Sequence, residues 1–383
     1  MKLNILLLPG DGIGVEVTRE AVKVLEQVAK TWKHELRLSE GLLGGIAIHK
    51  TGNPFPDETR ELALKADATL MGAVGLPEFD NAPPEKRPER GLLGIRKTLG
   101  VYANLRPVRS YSALLKSSPL KNELVDGTDL IIVRELTGGL YYGTPRGISG
   151  SGAEERAVNT MVYTQSEIER VTRMAFQLAR KRRGRVTSVD KSNVLENSQL
   201  WRRVVTEVAK NFTDVALDHL LVDNCAMQLV LNPKRFDVVV TENLFGDILS
   251  DEAAVLPGSI GMLPSASIGA QRDSGVWVGL YEPVHGSAPD IVGQNKANPL
   301  GAIGSVAAML EYSFGLVEEA RAVNRAMEEV LNSGTVTADL KPAGKPATTS
   351  EVGDAVCRQL QGQVKEEIYG KTERRGQEAA QHR

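Results

Sequence analysis

A chain of 383 residues is longer than one hydrophobic core usually grows, so it implies two domains or one domain with a large insertion. The 46 basic and 48 acidic side chains leave a formal charge of -2, which argues against an electropositive nucleic-acid binder. The two cysteines, Cys225 and Cys357, lie far apart in no metal-type spacing; they suit a reducing, cytoplasmic compartment and exclude a disulfide framework, and no window approaches the length of a membrane span.

In chain order, the apolar opening Leu3 to Leu8 is too short for a signal-peptide core and reads as a buried first strand. An amphipathic stretch from Val15 to Thr31 follows, with Val17, Ala21, Val24, Leu25 and Val28 on one helical face. Strand-like runs recur at Ala68 to Met71, Leu130 to Val133, Arg185 to Val189, Ala216 to Val222 and Asp237 to Thr241, each bounded by turn residues. This alternation predicts an α/β fold with a largely parallel central sheet. Pro77 to Pro88, rich in proline and charge, reads as an irregular surface loop. Residues 138–160 carry glycines and charges between the β-prone ends Leu140 to Tyr142 and Val158 to Tyr163, the pattern of a protruding hairpin arm. The charged, aromatic-poor stretch Val364 to Arg383 reads as a surface helix or a frayed tail.

Gly10-Asp11-Gly12-Ile13-Gly14, between a strand and a helix, invites comparison with the dinucleotide-binding glycine loop, whose helix-terminal amides hold a pyrophosphate. The spacing fails: the third glycine of G-x-G-x-x-G would fall at position 15, which is Val15, and no clear acidic ribose partner follows a second strand. The fold is therefore not an ordinary Rossmann fold.

Asp247 and Asp251 sit four apart after the strand Asp237 to Thr241, so a helix would put them on one face. Two like charges there gain most from a cation between them, and oxygen-only ligation favours magnesium or manganese. The same pair also fits a helix start decorated with dipole-favoured carboxylates. Asp223, after Leu220 to Val222, adds a third carboxylate at a strand end, where ligands of open α/β sheets collect. Arg96, Arg106 and Arg134 are each embedded among apolar or turn residues. Converging guanidinium forks would hold a dicarboxylate such as a substituted malate, although each arginine alone is equally a structural ion-pair partner. Tyr141 follows Gly138-Gly139-Leu140, and Lys191 follows a strand. A phenol can serve as an acid and a lysine near a cation as a base, while either alone also fits a structural role.

Together these segments resemble the isocitrate/isopropylmalate dehydrogenase family of β-hydroxyacid oxidative decarboxylases, over nearly the whole chain up to about Leu360. The most specific matches are Asn243-Leu244-Phe245-Gly246-Asp247-Ile248-Leu249-Ser250-Asp251, the stretch Gly258 to Ala266, and Glu282-Pro283-Val284-His285-Gly286-Ser287-Ala288-Pro289-Asp290-Ile291. The resemblance implies Asp223, Asp247 and Asp251 as ligands of Mg2+ or Mn2+, Arg96, Arg106 and Arg134 as clamps on the substrate carboxylates, and Tyr141 and Lys191 as acid and base. It implies a homodimer with shared active sites, in which Lys191 and Asp223 reach into the partner's site and the arm from Gly143 to Thr160 clasps the dimer. It also places adenosine on the loop His285 to Asn298, with Ile13 and Glu282 near the cofactor. A carboxylate at Asp290 would accept bonds from a ribose 2′-hydroxyl and repel a 2′-phosphate, so NAD is expected over NADP. In the implied architecture residues 1–105 and 255–383 form the first domain and 106–254 the second.

Glu89, Leu92 and Leu93 bear on the substrate. Isocitrate enzymes of the family present polar residues at the matching helix; here two leucines suit an isopropyl group and Glu89 discourages a third carboxylate, although a leucine pair is also ordinary helix core. The reaction implied is oxidative decarboxylation of 3-isopropylmalate in leucine biosynthesis, with related alkylmalates expected to react, since a wall discriminates by about 1–3 kcal/mol per methylene. The alternatives are a relative acting on tartrate, malate, homoisocitrate or isocitrate, and a non-catalytic regulatory subunit. Departures from the family pattern are Val15, where proline is common, and Tyr142, where phenylalanine is common.

Overall fold

The computed structural model describes residues 1–273 and 277–363, so the tail from Val364 to Arg383 lies outside the described residues. The chain divides into two compact units, one of residues 1–98 with 271–383 and one of residues 99–270.

The first unit opens with β1 (Lys2–Gly10), α1 (Gly14–Trp32), β2 (Glu35–Glu40), α2 (Gly45–Thr51), α3 (Asp57–Lys65), β3 (Ala68–Ala73) and α4 (Glu89–Leu99). β1 lies between β2 and β3 and is parallel to both, with Ile5 opposite Ala68 and Lys2 opposite Glu35. β3 is buried along its whole length, as a parallel strand covered on both faces requires, whereas the more polar edge strand β2 is mostly exposed. α1 turns the predicted stripe Val17, Ala21, Val24, Leu25 and Val28 into the core, all fully buried. The Pro77 to Pro88 stretch is not wholly irregular: Pro77–Phe79 and Pro84–Lys86 form single 3-10 turns, which suit proline's fixed φ.

The second unit contains β4 (Ala103–Arg109), α5 (Asn122–Val125), β5 (Asp129–Glu135), β6 (Gly147–Ser149), β7 (Arg156–Val158), α6 (Gln165–Arg180), β8 (Arg185–Asp190), α7 (Glu196–Ala209), β9 (Ala216–Leu221), α8 (Val222–Leu231), β10 (Val238–Thr241), α9 (Asn243–Ala253) and β11 (Pro264–Gln271). Its strands run in the order β11, β4, β5, β10, β8, β9. The four from β5 to β9 are mutually parallel; β4 runs antiparallel to both β5 and β11. This pairing moves the unit boundaries away from the expected 105/106 and 254/255, because β4 and β11 bond to each other and β4 to β5, carrying both into the second unit.

β6 and β7 pair antiparallel as a separate ribbon, and residues 144–159 are all exposed. The ribbon is shorter than the β-prone ends suggest. Leu140 to Tyr142 curl instead, since the Gly139 carbonyl accepts bonds from the Tyr142 and Gly143 amides. Similarly β9 stops at Leu221, and Val222 opens α8.

The chain then returns to the first unit with β12 (Trp277–Pro283), which pairs parallel to β3, and with α10 (Leu300–Tyr312), α11 (Val317–Asn332) and a helix over 349–363, α12. α10 is buried nearly all round and packs on α1, α11 and β12. Each unit thus carries its own run of a mostly parallel sheet covered by helices.

The loop after β1 is fixed by a buried carboxylate. Asp11 accepts hydrogen bonds from the backbone amides of Gly45 (2.7 Å), Ile46 (2.8 Å) and Gly75 (2.9 Å), tying the starts of two other segments to the glycine loop. Replacing Asp11 by Ala strands three amides, each costing about 1–3 kcal/mol when buried. The Asp11→Ala protein is expected to lose roughly 3 kcal/mol or more of stability, with Asp11→Asn intermediate, read as a lower urea midpoint; an unchanged midpoint would contradict the anchoring role.

Candidate active site

Five of the predicted residues meet in the second unit. Arg106 and Arg134 stand on the neighbouring antiparallel strands β4 and β5, where Asn104 faces Arg134 across the register. Tyr141 follows from the turn after β5, while Asp247 and Asp251 project one helical turn apart from α9. Arg134 donates through Nε and Nη2 to Asn243 Oδ1 (3.0 and 2.8 Å) and through Nη1 to Asp247. Arg106 donates through Nη1 to Ser250 Oγ (2.7 Å) and Asp251 Oδ1 (3.0 Å), and through Nε to Asn104 Oδ1 (2.9 Å). The Tyr141 hydroxyl donates to Asp247 Oδ2 at 2.8 Å. Burial, reinforced by the neighbouring Asp247 carboxylate, pushes this phenol up to about 12, so it stays protonated and able to donate.

The local sequence explains the arrangement. Gly246 allows α9 to lie against Arg134: a Cβ there would fall 2.7 Å from the arginine Cβ and Cγ. Glu242 caps α9 by accepting from the Leu244 and Phe245 amides, and Tyr163 donates to the same carboxylate at 3.1 Å while accepting from the Asn243 amide. Burial raises the pKa of Glu242. Glu135, also raised by burial, ends β5 and accepts from the amides of Thr137 and Gly138, fixing the turn that delivers Tyr141. Asn104, Asn243, Ser250, Tyr163 and the two glutamates escaped the sequence reading. Only the position of Asn243 and Ser250 inside the α9 motif signals them.

Lys191 and Asp223 form a separate pair, Nζ to Oδ1 at 2.7 Å, from the end of β8 and the first turn of α8. The ammonium holds the Asp223 carboxyl below its ordinary range. Asp223 does not meet Asp247 and Asp251: among the described residues no group of three or more His, Cys, Asp or Glu side chains could hold a metal ion. Asp247 and Asp251 nevertheless offer two partly exposed all-oxygen ligands on one helix face, a donor set that fits magnesium or manganese. A third carboxylate would have to come from elsewhere.

Arg96 lies in the first unit on α4, its Nη2 2.6 Å from Glu282 Oε1 at the end of β12. Arg96 Nε and Glu282 Oε2 are buried without a hydrogen-bond partner, leaving a donor and an acceptor for a ligand. α4 turns Gly91, Ile95 and Leu99 inward; Leu92 and Leu93 are only half-buried and Glu89 is exposed. The two leucines are therefore not simply helix core.

In the loop after β12, His285 donates from Nδ1 to the Gly286 carbonyl, and burial lowers its pKa, favouring the neutral ring with Nε2 unpartnered. Ser287 accepts from the Ile13 amide (2.9 Å), Ala288 is left-handed (φ 39°), Gly286 and Asp290 are exposed, and Pro289–Ile291 is one 3-10 turn. Asn298 is buried, its Oδ1 accepting from the Leu300 amide and its Nδ2 donating to Asp339, another residue the sequence did not reveal.

Known proteins resemble this chain over nearly its whole length. The sequence profile of the isocitrate/isopropylmalate dehydrogenase family matches residues 4–356. A 3-isopropylmalate dehydrogenase of Geobacillus kaustophilus is 57% identical over 92% of this chain and 94% of its own. That of Aquifex aeolicus is 53% identical, covering 94% and 98%. Among solved structures, isocitrate dehydrogenase from Methylococcus capsulatus superposes with a TM-score of 0.81 at 35% identity, over 94% of this chain and 99% of that one. A beta-decarboxylating dehydrogenase from Thermococcus kodakarensis gives 0.76 at 35% identity, over 94% and 96%. With a profile match across nearly the whole chain and relatives more than half identical, the protein belongs to the isocitrate/isopropylmalate dehydrogenase family.

Proposed function

We propose that the protein oxidises and decarboxylates 3-isopropylmalate with NAD, giving 2-oxoisocaproate and carbon dioxide in leucine biosynthesis. The observation that carries this reading is the cluster of Arg106, Arg134, Tyr141, Asp247 and Asp251. Two guanidiniums already grip carboxylates there, and a malate presents the same acceptors in the same chemistry. The half-buried Leu92 and Leu93 supply an apolar surface for the isopropyl group.

Asp247 and Asp251, with Asp223 of a second copy, would hold Mg2+ or Mn2+, which when bound polarises the substrate hydroxyl and adjacent carboxylate. Arg96, Arg106 and Arg134 bind and orient the carboxylates. Lys191, directly or through water, would take the hydroxyl proton, Tyr141 would return a proton to the carbon that loses carbon dioxide, and a bound NAD would supply the hydride acceptor. Asp290, exposed on its turn, would accept from a ribose 2′-hydroxyl, which favours NAD over NADP.

Since Lys191 and Asp223 pair away from the arginine cluster, a homodimer with shared sites is part of the proposal. Its support is apolar: Met227, Val230 and Leu231 of α8 and Ile248 of α9 are exposed by 40–60% in the single chain. Both cysteines are free, which suits a reducing cytoplasmic setting.

Three outcomes follow. With magnesium, 3-isopropylmalate is expected to reduce NAD orders of magnitude faster than isocitrate, D-malate or tartrate, NADP to be a poor substitute, and chelation to abolish the rate; preference for another acid would defeat the leucine-wall reading. Tyr141→Phe is expected to slow decarboxylation of the 2-oxo intermediate about 100-fold or more while sparing hydride transfer; equal losses in both partial reactions would remove the role. Light scattering should find a dimer that Leu231→Glu dissociates, with loss of activity, whereas a fully active monomer would contradict the shared site.

A further inference from the structure

The failed dinucleotide fingerprint leaves the start of α1 without an assigned task, and Glu16 supplies one. It is an acid in the first turn of a helix, 8% exposed, and among the described residues its carboxylate has no cationic partner. Instead Oε1 accepts from the Gly293 amide at 2.5 Å and Oε2 from the Asn295 amide at 3.2 Å. Both amides belong to the loop that runs from His285 to Asn298. One turn earlier, the Ile13 amide donates to Ser287 in the same loop, and Gly12 approaches so closely that a Cβ would lie 2.1 Å from the Ser287 carbonyl oxygen.

The far side of the loop is held as well. Asn295, in the left-handed region at φ 55°, donates from Nδ2 to Ser350 Oγ (2.9 Å) and accepts the Ser350 amide at Oδ1 (3.0 Å), while the Thr349 amide donates to its carbonyl. The exposed turn bearing Asp290 therefore hangs between two clamps, Ser287 on α1's glycine loop and Gly293 to Asn295 on Glu16. Without Glu16 the Gly293 amide loses its partner, and that end of the turn is held only through Asn295 at the start of α12.

We propose that Glu16 is a positioning residue for the cofactor: it sets the geometry of the Asp290 turn and so the affinity for the dinucleotide, without touching substrate or reacting atoms. The glycine loop and the first turn of α1 thus grip the backbone of a second loop, which in turn receives the cofactor. The inference rests on the proposal that residues 285–298 bind the adenosine half.

The test measures steady-state kinetics of the full-length, magnesium-loaded enzyme with both dinucleotides, beside thermal melts. Glu16→Ala is expected to raise KM for NAD about tenfold, a part of what losing two charge-assisted bonds within the loop costs, and to narrow the preference for NAD over NADP. The values of kcat and KM for 3-isopropylmalate should stay within about twofold. Glu16→Gln preserves volume and one acceptor, so it folds where Ala does not and should fall between the two. A folded variant with unchanged dinucleotide KM, or a parallel loss in kcat and both KM values, overturns the positioning role. If the wild type itself prefers NADP, the cofactor reading fails separately, and the Glu16 effect is then read in KM for NADP.

Discussion

Much of this structure depends on buried carboxylates that hold backbone N–H groups where strands end and neither helix nor sheet can satisfy them. Asp11 after β1 takes three amides, Glu135 at the end of β5 takes two, and Glu242 after β10 takes two at the start of α9. Asp190, ending β8, accepts the Ser192 amide and the guanidinium of Arg202. Chain emerging from a parallel strand carries donors that must find partners or stay in water. A carboxylate answers several at once and, unlike a neutral acceptor, does so with charge-assisted bonds. Loops near a reaction centre can thereby be well defined without regular structure of their own.

The same arrangement keeps the functional groups apart from the anchoring ones. Arg106, Arg134 and Tyr141 end on Asp247 and Asp251, whose exposure is intermediate or high, while the residues that aim them, Asn104, Asn243 and Glu135, are fully buried. Arg134 illustrates the division: one edge of its guanidinium is spent on Asn243 and the other faces the carboxylate cluster. Losing Asn243 would leave the charge in place but remove the bonds to Nε and Nη2 that orient it, which matters most where bidentate geometry is needed.

What the sequence disclosed follows periodicity and motif. The α1 stripe, the buried runs of β3, β5 and β10, and the i, i+4 spacing of Asp247 and Asp251 are local patterns, and each appears where its period places it. The candidate site residues were legible because the α9 and post-β12 motifs resemble a known family. Hidden from such reading were side chains whose meaning depends on distant partners. Glu16 looks like an ordinary first-turn acid until Gly293 is found 277 positions away. Tyr163 looks like core until its hydroxyl meets Glu242, and the unit boundaries depend on which strands β4 chose as neighbours.

The discontinuity of the first unit has a consequence for how the protein is made. Residues 99–270 form one uninterrupted stretch, so on the ribosome that unit can complete itself while the other waits. β3, buried throughout, receives β12 as its parallel neighbour only after some two hundred further residues have been added. Until then its apolar edge is an open template for pairing with a wrong chain. Nascent chains stalled between β3 and β12 should therefore be the species that most needs chaperone protection.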